Sequence, residues 1–160
     1  MNGTPEDDFT LFEGLWKGGY YEGDPEDRVA KSTYNVLSFG MGYLSVLHAV
    51  YLACIKPYIN NKTVALEIGP GKGAWTKTML KARELWCLDV LSAEETHFWE
   101  HIGEIHKESV KYIQVDDFSC SCLPEDHIDY FFSWAAFCHI TWDGQKEYYK
   151  NLYPKLKEGS

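Results

Sequence analysis

The second part of the chain alternates short apolar blocks with longer amphipathic ones. Residues 63–68 (TVALEI), 84–90 (ELWCLDV), 110–115 (VKYIQV) and 128–135 (IDYFFSWA) are short, rich in β-branched and aromatic residues, and read as strands. Between and after them, residues 74–81, 93–105 and 144–156 carry the spacing of helices. Strands separated by helix-length segments imply right-handed crossovers and a largely parallel sheet, so the pattern predicts an α/β fold, Rossmann-like and doubly wound, with about four strands. Further upstream, Leu44, Leu47, Tyr51 and Cys54 recur at helical spacing and Pro57 follows where such a helix should stop. The chain therefore divides into an N-terminal lead-in with one helix, residues 1–62, and an α/β core, residues 63–160.

Composition narrows the partners. With 24 acidic against 15 basic residues, a net charge of -9 and no basic cluster, the surface repels phosphate backbones, which argues against nucleic acid. Hydrophobic residues make up 45% of the chain and aromatic residues 16%, enough for a packed core. Residues 38–55 contain no Asp, Glu, Lys or Arg, but Gly40, Gly42, Ser45 and His48 dilute their apolarity, so they read as a buried helix rather than a membrane span. The five cysteines, an odd number without a C-x-x-C pair, and the acidic start MNGTPEDDFT fit a cytoplasmic protein with reduced thiols.

The stretch VALEIGPGKGAW, residues 64–75, holds the candidate chemistry. Gly69 and Gly71 permit a tight turn with close approach to the backbone, and amides opening the helix after Gly73 can receive negative groups. GPGKGA also satisfies the dinucleotide pattern G-x-G-x-x-G/A, which leaves an NAD(P)-dependent oxidoreductase open. Glu67, two residues before the first glycine, would repel a pyrophosphate and attract a ligand carrying an amino group and a sulfonium.

Acid, one residue and then G-x-G-x-G after an apolar strand resembles the first motif of class I S-adenosylmethionine-dependent methyltransferases. Three later stretches resemble that family in order. ELWCLDV ends a second strand in an acid, Asp89, 20 residues beyond Gly69; YIQVDDF supplies Asp116, Asp117 and Phe118; IDYFFSWAAFCHI supplies Asp129 and Ser133. The resemblance implies S-adenosylmethionine as cofactor and a small-molecule methyl acceptor as partner. It assigns cofactor binding to Glu67, Gly69, Pro70, Gly71, Gly73, Asp89, Val90, Asp116, Asp117, Phe118 and Ser133. Within that set, Asp89 takes the ribose hydroxyls and Asp116 the adenine amino group. Trp16, Tyr20 and Tyr21 in the lead-in resemble aromatic segments that close over the cofactor, and Tyr21 joins the binding set. His139, just past the fourth strand, is the candidate general base for an acceptor hydroxyl, because an imidazole exchanges protons near neutral pH.

Other readings remain beside these. Asp89 can be a helix cap, Asp116 and Asp117 a turn, and His139 a packing partner of Trp142. His97 and His101 lie one helical turn apart without a third ligand, and Cys120, Cys122, Cys138 and His139 have scattered spacing, so no bound metal is expected. The family sheet has further strands after the turn that LYPKLKEGS resembles. The chain is accordingly expected to be C-terminally truncated, with strand four at a bare edge open to self-association through Phe131, Phe132, Trp134 and Phe137. A non-catalytic cofactor-binding or interaction module is the alternative to an enzyme.

Overall fold

The computed structural model describes residues 5–28 and 45–160. The predicted helical position Leu44 and the first part of the uncharged stretch lie outside these residues.

Four parallel strands, β1 (Val64–Ile68), β2 (Glu84–Asp89), β3 (Val110–Gln114) and β4 (Tyr130–Phe132), form one sheet in the order β3-β2-β1-β4. β1 is buried on both faces, as a central parallel strand must be when helices cover each side. Its side chains alternate between two cores. Ala65 faces α3 (Ala74–Met79), α4 (Phe98–Ile102) and the helix that begins as α2 (Val46–Val50) and widens into a π-helical turn at Tyr51–Ile55. Val64, Leu66 and Ile68 face α1 (Pro5–Leu15) and α5 (Trp142–Leu152).

The predicted elements are present with shifted ends, each for a local reason. β4 stops at Phe132 because the Ser133 hydroxyl donates to Ile68 O at 2.9 Å and Ala135 adopts φ +60°, which cannot continue a strand. The helix expected over 93–105 is split. Ser92 and Glu95 satisfy each other's backbone amides in a reciprocal cap, but His97 at φ +55° interrupts, and only Phe98–Ile102 is regular before Gly103. α5 starts at Trp142 because Thr141 caps it, accepting from Gly144 N at 3.3 Å. The lead-in holds a helix, α1, that the pattern reading placed nowhere.

The outer flank of β4 is partly covered. Ile128 forms a parallel bridge with Leu156, Ile128 N–H donating to Lys155 O at 2.9 Å and Lys157 N–H to Ile128 O at 3.0 Å. Phe132 is buried, Trp134 packs on Trp75 at 5.1 Å, and Phe137 lies against Phe131, Tyr148 and Tyr149. The side chains expected to be bare thus have aromatic neighbours. Among the described residues no helix is long and apolar enough to cross a membrane.

Phe98 is fully buried, 4.7 Å from the Tyr112 ring and against Gly73, whereas Ile105 seven residues on is 85% exposed. Phe98→Ala should therefore cost about 3 to 5 kcal/mol in urea unfolding, and Ile105→Ala less than about 0.5 kcal/mol.

Candidate functional site

At the carboxyl end of β1 the chain makes a left-handed turn, with Gly69 at φ +72°, Gly71 at +53° and Gly73 at +84°. The space beside these glycines is already taken. A Cβ on Gly71 would lie 2.7 Å from Tyr20 O, and one on Gly69 would lie 2.6 Å from Ala136 Cβ. The turn's amides are committed as well. Gly69 N–H donates to Leu88 O (2.8 Å), Gly71 N–H to Asp89 Oδ2 (3.1 Å), Lys72 N–H to Tyr20 O (3.1 Å) and Gly73 N–H to Pro70 O (2.8 Å). The turn itself therefore offers a ligand close approach to backbone rather than free donors, while the amides expected to receive an anion are those that open α3 after Gly73.

A cavity of about 330 Å³ opens beside the turn at the carboxyl ends of the strands. Gly69, Gly71, Asp89, Val90, Leu91 and Val115 form its floor, and Phe118, Tyr148, Ile140, His139 and Trp134 form one wall. Phe9, Phe12, Trp16 and Tyr20 of the lead-in form its roof. Asp89 is held by two amides, Gly71 N–H and Leu91 N–H, both at 3.1 Å. Burial nonetheless raises its pKa above the usual carboxylate range, against the lowering effect of those backbone bonds. His139 meets the Trp16 ring at 4.9 Å between centroids, and the Tyr20 hydroxyl donates to Glu22 Oε2 at 3.0 Å.

Of the site candidates singled out in the sequence, Trp16, Tyr20, Gly69, Gly71, Asp89, Val90, Phe118 and His139 line the cavity. The others lie elsewhere. Glu67 shares the face of Ala65, is 1% exposed, and accepts a 2.6 Å bond from the Thr76 hydroxyl beneath α3. Pro70 is buried behind the turn, and Gly73 starts α3 against Ile102 and Phe98. Asp116 and Asp117 are exposed, Asp117 capping Ser119 N–H at 2.9 Å in a turn. Ser133 is spent on Ile68 O, and Tyr21 packs on His101 at 4.6 Å. His48 bonds Pro25 O, away from the cavity. Among the described residues no three potential metal ligands gather. Sequence reasoning missed Phe9, Phe12, Leu91, Ile140 and Tyr148.

No protein-family model and no curated protein matches the chain. Solved structures do resemble it. Phosphoethanolamine N-methyltransferase 2 of Haemonchus contortus, in complex with phosphomonomethylethanolamine and S-adenosylhomocysteine, superposes with a TM-score of 0.56 at 19% identity, over 68% of this chain and 26% of that one. An S-adenosylmethionine-dependent methyltransferase of Mesorhizobium loti gives 0.53 at 16% identity, over 68% and 48%. The YcgJ protein of Bacillus subtilis gives 0.55 at 19% identity, over 69% and 47%. The fold is the class I S-adenosylmethionine-dependent methyltransferase fold. The chain spans about half or less of the length of these neighbours.

Two predictions follow the geometry of the turn and of Glu67. Burial, partly offset by the Thr76 bond and reinforced by Asp89, raises the Glu67 pKa from 4.5 to about 8. Between those values the folded chain keeps a proton that the unfolded chain loses. The stability due to the neutral acid is therefore full below about pH 4.5 and falls as pH rises through about 8. Glu67→Gln should flatten that fall, so that its Tm gains on the parent as pH rises from about 4.5 to about 8 in thermal melts. Gly71→Val should displace the lead-in even without ligand, read as increased amide hydrogen exchange at residues 16–20, because its side chain would strike the Tyr20 backbone.

Proposed function

We propose that this chain binds S-adenosylmethionine in the cavity and takes part in methyl transfer to a small-molecule acceptor. The observation that carries the reading is Asp89: a carboxylate at the end of β2, oriented by two backbone amides, facing an otherwise mostly apolar cavity. A carboxylate with lone pairs to spare suits a pair of ribose hydroxyls, and Val90, Leu91, Val115 and Phe118 supply the apolar walls a purine needs. The engaged amides of the glycine turn disfavour a pyrophosphate there, which supports this cofactor over a dinucleotide.

When bound, the cofactor supplies a methyl group on a sulfonium, already electrophilic. The protein's part is then alignment, exclusion of water and handling of one proton. Phe9, Phe12 and Trp16 exclude water from above. His139 stands on the wall where it can accept a proton from an acceptor hydroxyl or amine. A small-molecule acceptor is in keeping with the phosphomonomethylethanolamine held by the Haemonchus enzyme.

Titration calorimetry should show binding of S-adenosylhomocysteine in preference to NADH. Asp89→Ala should weaken that binding about 10- to 150-fold, the loss of charge-assisted hydrogen bonds worth ~1.5 to 3 kcal/mol. Tighter binding of NADH, or unchanged affinity in the variant, would overturn the assignment. Transfer of labelled methyl to a panel of small alcohols and amines, abolished or slowed in His139→Ala, separates an enzyme from a binding module.

A further inference from the structure

We propose that Asp8 is a positioning residue of this site: its buried carboxylate anchors α1 to the start of α5, and so holds Phe9, Phe12 and Trp16 over the cavity and sets how fast a bound nucleoside leaves. The inference rests on the cofactor reading given above and extends it to a residue outside all four motifs.

α1 is 11 residues long, too short to persist alone in water, so its place depends on what it docks against. Phe9 and Phe12 lie on one side of it, Phe9 4.6 Å from the Phe118 ring and Phe12 6% exposed, while Leu11 and Leu15 on the other side stay in solvent. Asp8 is 3% exposed. Its Oδ2 accepts from Thr141 N–H at 3.0 Å and from the Thr141 hydroxyl at 2.7 Å. That hydroxyl in turn accepts from Gly144 N–H, so the carboxylate closes a chain of bonds at the N-terminal end of α5, where the helix dipole favours negative charge. The approach needs a small residue at 144, since a Cβ there would lie 3.0 Å from Asp8 Oδ2 and 2.7 Å from Phe118.

The other end of the roof is fastened differently, with backbone hydrogen bonds beside the ring contacts of Trp16 and Tyr21. Gly18 N–H donates to Glu95 O at 2.8 Å and Lys72 N–H to Tyr20 O at 3.1 Å. Between Asp8 and the Tyr20 bond stand Gly18 at φ +96° and Gly19 at +73°, a pair able to absorb a change of direction once Gly18 N–H leaves Glu95 O. Releasing Asp8 therefore frees α1 to swing about Gly18 and Gly19 while the sheet and the glycine turn stay in place. A ligand under a roof held at both ends leaves slowly; under one held at a single end it leaves fast.

Release of S-adenosylhomocysteine from the full chain, followed by stopped-flow displacement, tests this. Asp8→Ala should raise the dissociation rate about 10- to 100-fold, since a hydrogen-bonded charge is lost, and should increase amide exchange over residues 9–15 without changing it in β1 and β2. Asp8→Asn keeps an oxygen for Thr141 and should stay within about threefold of the parent. Thr63→Val removes a hydroxyl bonded to Tyr58 O at the opposite end of β1 and serves as the control for general loss of stability. It should lower Tm and leave the dissociation rate unchanged. An unchanged rate in Asp8→Ala, or an equal rise in Thr63→Val, would overturn the anchor while leaving the cofactor reading intact. Failure of the parent chain to bind S-adenosylhomocysteine would overturn the cofactor reading and this role with it.

Discussion

The structure depends on how closely three elements approach one turn. Gly69, Gly71 and Gly73 each present a bare Cα to a different neighbour: the loop after β4 at Ala136, the lead-in at Tyr20, and α4 at Ile102 and Phe98. Because all three glycines adopt positive φ, side chains at these positions would be strained even without those neighbours. The glycines thus act first as a packing junction. They bring the lead-in and the β4–α5 loop to the same place at the end of β1, and the cavity is the space left between them. A residue with a Cβ at Gly69 or Gly71 would move a wall of the site, and one at Gly73 would push α4 off the sheet, so folding and binding share the same constraint.

Strand alternation explains the fate of the acid in the motif. Glu67 follows Leu66 and precedes Ile68, so in a flat strand it points with Ala65 toward α3, away from the cavity. There it meets Thr76 and lies near Cys87, whose own thiol is pushed up by burial. A buried carboxyl with a hydroxyl partner is tolerable when neutral and costly when ionised. Its role in this structure is to tie β1 to α3 immediately behind the turn; neutral and facing away from the cavity, it offers a cationic ligand no contact.

Much of the fold was legible in the sequence because period and length agreed in the four strands, and a parallel order follows from the crossovers. What was not legible has local causes. The pattern reading missed α1 because its apolar positions, Phe9, Leu11, Phe12 and Leu15, span barely two turns behind an acidic start; yet Pro5 at the first helical position with three acids after it is a helix start by composition. His97 and Ala135 at positive φ cut a helix and a strand short; histidine visits that region more than most residues, but nothing in an alanine announces it. In the site, position within a motif located Asp89, Val90 and Phe118 at the cavity, but it could not tell which face Glu67 occupied, or that Ser133 and Asp117 would be spent on backbone.

The cavity is made of two halves that are poor sites separately. The strand ends provide one oriented carboxylate and an apolar floor open to water; the lead-in provides aromatic rings with no sheet of their own. Joined, they surround Asp89 with low-dielectric walls, where each hydrogen bond to it is stronger than in water and each missing one more costly. Gly71 and Leu91 satisfy part of the carboxylate in advance and fix its plane. A carboxylate has about four lone-pair sites, so acceptor capacity is left over after these two bonds. A ligand offering two neighbouring hydroxyls would find the group already turned toward the cavity and would not have to order it on binding, which is where preorganised sites gain affinity. The same enclosure demands that the roof be held down. A lead-in with exposed Leu11 and Leu15 on its outer side depends for this on the few inward groups it has: Phe9 and Phe12, the buried carboxylate of Asp8, and the backbone bonds at Gly18 and Tyr20.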